Sequence, residues 1–148
     1  MSIVTTIPRG WSASDIGDLT GKSFLITGGT SGIGKETALE LARAGAHVTI
    51  TARDAAKGAT VVAEIAKERV EFKLLDLADL ASVKKFAKEF TKPIDVLILN
   101  AGVMATPFSL TKDGFEMQMG TNHLGHFALT GLLLEKVSQR IVAVSSQM

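Results

Sequence analysis

Short runs of β-branched and aliphatic residues alternate along the chain with stretches whose apolar positions recur every three or four residues. The runs fall at residues 23–27, 47–51, 70–74, 94–99 and 140–145. Several are apolar almost throughout, notably Ile94, Val96, Leu97, Ile98 and Leu99, and Ile141, Val142, Ala143 and Val144. Strands of this kind are covered on both faces, as in parallel sheets. Between them the spacing predicts helices over residues 33–44, about 55–69, about 80–90 and 114 to about 138. In the third, Leu80, Val83, Phe86, Ala87 and Phe90 form the inward stripe, while Lys84, Lys85, Lys88 and Glu89 take the solvent side. Strand alternating with helix predicts βαβ units and an α/β fold on a parallel sheet.

Composition narrows the chemistry. The 148 residues are 46% hydrophobic and 21% charged, which excludes disorder. Sixteen Lys and Arg against fifteen Asp and Glu leave a net charge of +1, too little for a basic field that holds nucleic acid or an anionic membrane. There is no Cys, hence no disulfide and no thiolate nucleophile; three His are few for a metal site, and no metal is expected. There is also no Tyr. No run reaches the roughly 18–20 apolar residues of a membrane span, and residues 1–20 lack a signal-peptide pattern, so the expectation is a cytoplasmic protein without a membrane span. Residues 1–20 read as an N-terminal arm in which Ser12-Ala13-Ser14-Asp15 makes a short capped turn and packs Trp11 against the domain. Residues 21–148 are the domain itself.

The first strand runs into Thr27-Gly28-Gly29-Thr30-Ser31-Gly32-Ile33-Gly34 and then directly into a helix. Glycines at 28, 32 and 34 suit a sharp turn, a close approach of backbone to a pyrophosphate, and tight helix–strand packing. The helix N-terminus offers N–H groups and a positive dipole end to phosphate. Gly29 to Lys35 also spells the start of a P-loop, but residue 36 is Glu where a Mg²⁺-binding hydroxyl is required, and the fourth strand ends in Asn100 instead of an Asp. A glycine turn of this kind can also be only a turn. Two His at 123 and 126, without a carboxylate beside them, read as packing or surface residues, and Met117 and Met119 as core filler. Asn122 falls on the line Phe115, Met119, Asn122, His126, Leu133, which predicts an inward-facing carboxamide.

Four motifs stand in order: Thr27-Gly28-x-x-x-Gly32-x-Gly34, Asn100-Ala101-Gly102, Asn122-His123-Leu124-Gly125-His126-Phe127, and a fifth strand closing on Ser145-Ser146. Together they resemble the short-chain dehydrogenase/reductase family, its retinol-dehydrogenase-like branch, from about Asp18 onward. The resemblance implies a Rossmann-type doubly wound parallel sheet of about five strands in the order 3-2-1-4-5, incomplete after the fifth. It implies an oxidoreductase moving hydride between a nicotinamide cofactor and a small-molecule alcohol or carbonyl substrate. The cofactor-binding set it implies is Gly28, Ser31, Gly32, Ile33, Gly34, Arg53, Asp76, Leu77, Asn100, Ala101 and Gly102. Asp76 would bond the adenine amino group, Asn100 would tie the central strands, Asn122 would help hold a water for proton transfer, and Ser146 would bond the substrate oxygen. The tip of the second strand would read the adenosine ribose. Thr51-Ala52-Arg53 carries no acid there, and a guanidinium suits a 2′-phosphate, so NADP is expected over NAD. The family's Tyr-x-x-x-Lys pair, which follows the Ser, is absent from the 148 residues. The chain is therefore expected to be inactive alone and to self-associate through its fifth strand. Two other readings remain at this point, a non-catalytic dinucleotide-binding or interaction module and a P-loop phosphohydrolase.

Overall fold

Apolar runs too short to bury themselves pair edge to edge, and the helices between them cover both faces of the sheet they form. In the computed structural model, which describes residues 7–65 and 68–145, five strands make one parallel sheet. In chain order the elements are β1 (Ser23–Ile26), α1 (Gly32–Arg43), β2 (His47–Ala52), α2 (Ala55–Ile65), β3 (Val70–Leu74), α3 (Leu80–Glu89), β4 (Ile94–Leu99), α4 (His126–Leu133) and β5 (Val137–Ala143). The spatial order is β3-β2-β1-β4-β5, with Ile26 level with Ile50 on one side and Ile98 on the other. The chain leaves β1 for one edge through α1 and α2, then returns and builds toward the other edge. Ligand crevices in open α/β sheets open at such a reversal, beyond the carboxyl ends of the strands.

Side chains alternate between two cores. Ile26, Val48, Ile50, Val96 and Ile98 meet Ala38 and Ala42 of α1 and Val61 of α2. Leu25, Ile94 and Leu97 meet Val83 and Phe86 of α3 and Leu129 and Leu133 of α4. The rings of Phe86 and Phe90 stack with centroids 5.4 Å apart. Asp79 caps α3 by accepting from the Ala81 and Ser82 N–H groups, and Lys84, Lys85, Lys88 and Glu89 are exposed as expected.

The last third of the chain departs from the predicted pattern. Instead of one helix from 114 to about 138, a seven-residue π-helical turn (Met119–Gly125) leads into α4, a single 3-10 turn follows, and β5 begins at Val137. The wider turn shifts the inward stripe to Thr121, Gly125, His126, Leu129 and Leu133 and leaves Phe115 and Met119 exposed. Met119 is thus not core filler, and Asn122 is exposed where a 3.6-residue period put it inside. The strand β5 pairs with β4, but its residues are half-buried or exposed, because no described helix covers its outer half. Trp11 is also half exposed, so the arm is not packed down through it. The expected turn is present, with Asp15 Oδ2 accepting from the Ser12 N–H at 2.7 Å.

Candidate functional site

At the carboxyl end of β1 the backbone turns through Gly28 at φ +71° and Gly32 at φ +53°, the left-handed region where any Cβ is strained. A Cβ on Gly28 would also lie 2.8 Å from Ala101 Cα. One on Gly34 would fall on the Gly28 carbonyl oxygen and on Asn100 Nδ2, so the first turn of α1 is pressed against the loop it follows. At Gly32 nothing lies within 4 Å of such a Cβ; there the backbone conformation alone selects glycine. Ser31, extended at φ −161°, leads into α1 without bonding the helix's first N–H groups through its side chain. Those donors face the turn, and Ile33 beside them is exposed.

Thr27 is the hub of the site. Its Oγ1 accepts from the Asn100 N–H at 2.9 Å and the Ala101 N–H at 3.0 Å. It also lies 2.8 Å from His126 Nε2. Asn100 Nδ2 donates to the carbonyls of Thr27 and Gly28, both at 3.1 Å. One carboxamide therefore ties β1, the glycine turn and β4 together. Asn122, expected beside a reacting proton, meets Val103 twice. Its Oδ1 accepts from the Val103 N–H and its Nδ2 donates to the Val103 carbonyl, each at 2.8 Å. A side amide pairing with a backbone amide in this way pins residues 100–103 as a strand would. His126, on the next turn, is buried, with Nδ1 2.9 Å from the Asn122 carbonyl. Burial pulls its pKa below the ordinary 6.5, an effect that the Asn122 carbonyl only partly offsets.

These walls enclose a cleft of about 320 Å³. Of the cofactor set expected by resemblance, Gly28, Ser31, Ile33, Arg53, Leu77, Asn100, Ala101 and Gly102 line it; Gly32, Gly34 and Asp76 do not. Gly34 acts through packing. Asp76 is engaged in a turn, its Oδ1 accepting from the Ala78 N–H at 3.0 Å. Arg53 is exposed at the tip of β2 and forms no ion pair among the described residues. Its neighbour Asp54 turns the other way and accepts from the Ala56 and Lys57 N–H groups at the start of α2, bonds that hold its carboxyl below the ordinary range. Lys35, the residue a P-loop would turn onto phosphate, instead meets Glu64 of α2.

A neighbouring hollow is lined by Gly102, Asn122, His126, Phe127, Thr130 and Ser145 among others. Ser146 lies outside the described residues. The sequence reading missed Thr27, His126 and Val103 as a connected group, and Leu75 and Thr121 as cleft walls. For Thr27 the signal was available: it is the one polar residue closing an apolar strand just before the glycines.

A doubly wound sheet in the order 3-2-1-4-5, with a glycine turn opening into a cleft at its carboxyl edge, defines a Rossmann-type α/β protein. A family model described as short chain dehydrogenase matches residues 22–148, and the chain belongs to that family. It is 52% identical to retinol dehydrogenase 11 of Homo sapiens, across 86% of this chain and 44% of that protein. It is 50% identical to a probable oxidoreductase of Streptomyces lividans, across 87% of this chain and 46% of that one. The chain therefore spans less than half the length of these curated relatives. Among solved structures, an uncharacterized protein from Mycobacterium paratuberculosis superposes with a TM-score of 0.89 at 51% identity, covering 93% of this chain and 51% of that one. The NADP active-site complex of RhlG from Pseudomonas aeruginosa superposes with a TM-score of 0.73 at 28% identity, covering 87% of this chain and 56% of its own.

Proposed function

We propose that this chain supplies the cofactor-binding part of an NADP-dependent oxidoreductase that moves hydride between nicotinamide and an alcohol or carbonyl. The observation that carries the reading is the cleft itself. The turn at Gly28 has no room for a Cβ, the Ser31 side chain takes none of the first N–H groups of α1, and the guanidinium of Arg53, at the tip of β2 on the cleft wall, forms no ion pair among the described residues. When bound, the cofactor would supply the hydride. The chain's own residues bind and orient: Gly28, Ser31 and Ile33 at the pyrophosphate, Arg53 at the 2′-phosphate, Leu77 beside the adenine, and Ala101 and Gly102 at the nicotinamide ribose. Asn100 and Asn122 hold that last wall in place, and Ser146 bonds the substrate oxygen.

The 148 residues include no Tyr to serve as the proton donor implied by the family pattern. General acid–base assistance contributes about 10²–10⁴-fold, so this polypeptide is read as binding cofactor without useful turnover. Calorimetric titration tests both halves. NADPH should bind more tightly than NADH, and Arg53→Ala should remove the difference, on the order of 1.5–3 kcal/mol for a charged hydrogen-bonded contact. Equal affinities in the unchanged protein would remove the NADP assignment. Steady carbonyl-dependent NADPH oxidation would show that another group donates the proton. Binding without turnover, in a protein whose gene holds no further catalytic residues, would favour a dinucleotide-binding module.

A further inference from the structure

We propose that His126, held as the neutral Nδ1–H imidazole, is a positioning residue that sets residues 100–103 against the cofactor, so that acid weakens dinucleotide binding by one proton taken up at this ring. The inference rests on the cleft being a dinucleotide site and adds to it a residue outside the lining.

Hydrogen-bond arithmetic fixes the state of the ring. A backbone carbonyl only accepts, so the 2.9 Å contact with the Asn122 carbonyl places the proton on Nδ1. In the neutral ring Nε2 then carries the lone pair, and Thr27 Oγ1, 2.8 Å away, donates to it. The Thr27 hydroxyl has one proton and two lone pairs. The lone pairs are taken by the Asn100 and Ala101 N–H groups, so every capacity of the group is used once.

The same ring reaches the other end of this segment. Its Nδ1–H holds the carbonyl of Asn122, whose side chain clasps Val103 on both sides. Residues 100–103 are thus fixed at their start through Thr27 and at their end through Asn122, and all four face the cleft.

A second proton on the ring would aim an Nε2–H at Thr27 Oγ1, which has no lone pair left. The displaced hydroxyl proton would have only the Ile98 carbonyl, at 3.5 Å, to turn to. One of the two amide bonds to Asn100 and Ala101 must then break. Among the described residues no charged neighbour compensates. Just after β1 the ring meets Thr27, while Asn100 from the loop after β4 and Val144 and Ser145 from the end of β5 line the same hollow. On its own helix His123 is exposed beside Phe127, their rings 6.3 Å apart. The loop after β3 touches Gly125 through Leu77, and its Asp76 is turned to the Ala78 N–H. The charges of α3 (Lys84, Lys85, Lys88 and Glu89) are on its exposed face. Burial accordingly keeps this ring neutral below the ordinary histidine range.

The test uses the whole chain with NADP⁺ and NAD⁺, which survive mild acid, titrated calorimetrically between pH 8 and pH 5. Below the ring's own titration point, affinity for both should fall toward tenfold per pH unit. Using both cofactors removes the 2′-phosphate, which titrates near pH 6, as the source of the loss. His126→Gln, which keeps an acceptor and a donor but does not titrate, should abolish the acid dependence for NAD⁺. An NAD⁺ affinity that stays flat below the ring's titration point, as nitrogen-15 spectra give that point, or one whose acid loss survives in His126→Gln, overturns the proposal. Nitrogen-15 spectra of the unliganded chain give a second readout. The ring should show the Nδ1–H tautomer, and the amides of Asn100, Ala101 and Val103 should shift with its titration. If neither cofactor binds at pH 8 but those amides follow the ring, the functional reading fails and the positioning role stands; if the amides ignore the ring, the positioning role fails whatever binds.

Discussion

Two glycines on the same chain should answer the same substitution with opposite signs. At Gly34 an added methyl has no room, since it meets the backbone carbonyl of Gly28 and the amide of Asn100, neither of them a flexible tip. Gly34→Ala should cost about 1–3 kcal/mol as overpacking, and weaken cofactor binding because the turn must move. Gly131, within α4, meets nothing within 4 Å. There Gly131→Ala should stabilise by roughly 0.5–1 kcal/mol, through helix propensity alone. Thermal unfolding of both variants checks the pair; equal shifts would mean that the close approach at Gly34 is not what selects glycine. Thr27→Val is the third residue-scale test. It keeps the volume and removes Oγ1, leaving the Asn100 and Ala101 N–H groups and His126 Nε2 without their partner. A loss of roughly 1–3 kcal/mol is expected, recovered by Thr27→Ser. Unchanged stability in the valine variant would remove Thr27 from its place at the centre of the site.

At the scale of elements, Asp95 shows how polar contacts fix strand register. It sits at the amino end of β4 and accepts from the Ser23 N–H at 2.8 Å and the Ser23 hydroxyl at 3.1 Å. From β5 it accepts from the Ser138 hydroxyl at 3.1 Å and Gln139 Nε2 at 2.9 Å. The Ser23 backbone bond, foremost, holds its carboxyl below the ordinary 3.8. A carboxylate with a depressed folded pKa gives stability that is present above its unfolded pKa and lost as pH falls through the folded value. Acid unfolding below about pH 4 should therefore be blunted in Asp95→Asn, which starts less stable at neutral pH; parallel pH curves for the two proteins would show that the carboxylate charge is not involved. This element-scale design was partly legible in the sequence. Strands β1 to β4 and the first three helices announce themselves because apolar runs and 3.6-residue stripes are local signals. The π-helical turn does not. Its wider i→i+5 turn goes with Gly120 packing on Thr111, Gly125 on the Leu77 carbonyl, and Asn122 clasping Val103, contacts made outside the turn itself. The same holds for the start of β5, where Val137, Ser138 and Gln139 read as the end of a helix until Asp95 supplies their partner. Of the site, the glycine turn was legible from spacing, and Asn100 and Arg53 entered through the family resemblance, whereas the Thr27–His126–Asn122 connection joins residues 99 apart and exists only in the fold.

The whole molecule presents two unequal sheet edges. The outer side of β3 carries Lys73 and Leu74 but is flanked by α2 and α3. Among the described strands β5 pairs only with β4, which leaves its outer side without a strand partner. Val142 and Val144 stand 39% and 43% exposed there, and the neighbouring Phe127 of α4 is 73% exposed. A β-branched edge whose one charge is Arg140, beside an apolar helix face, is the arrangement that recruits another strand. A few hundred Å² of such surface, at roughly 25 cal/mol per Å², amounts to several kcal/mol against a typical total stability of 5–15. The isolated chain should therefore associate through β5 as concentration rises. Val142→Lys places a charge on the edge and should shift the protein toward monomer without touching the cleft. Cofactor acts on a different equilibrium: ligand at 100 times its Kd adds about 2.7 kcal/mol to the folded state. It should raise the Tm of unchanged and Val142→Lys protein alike, while only the substitution alters oligomer size. Light scattering coupled to size-exclusion chromatography, with thermal melts run with and without NADPH, separates the two effects. A concentration-independent monomer in the unchanged protein would show that β5 needs no partner, and an oligomer that survives Val142→Lys would place the contact on another face.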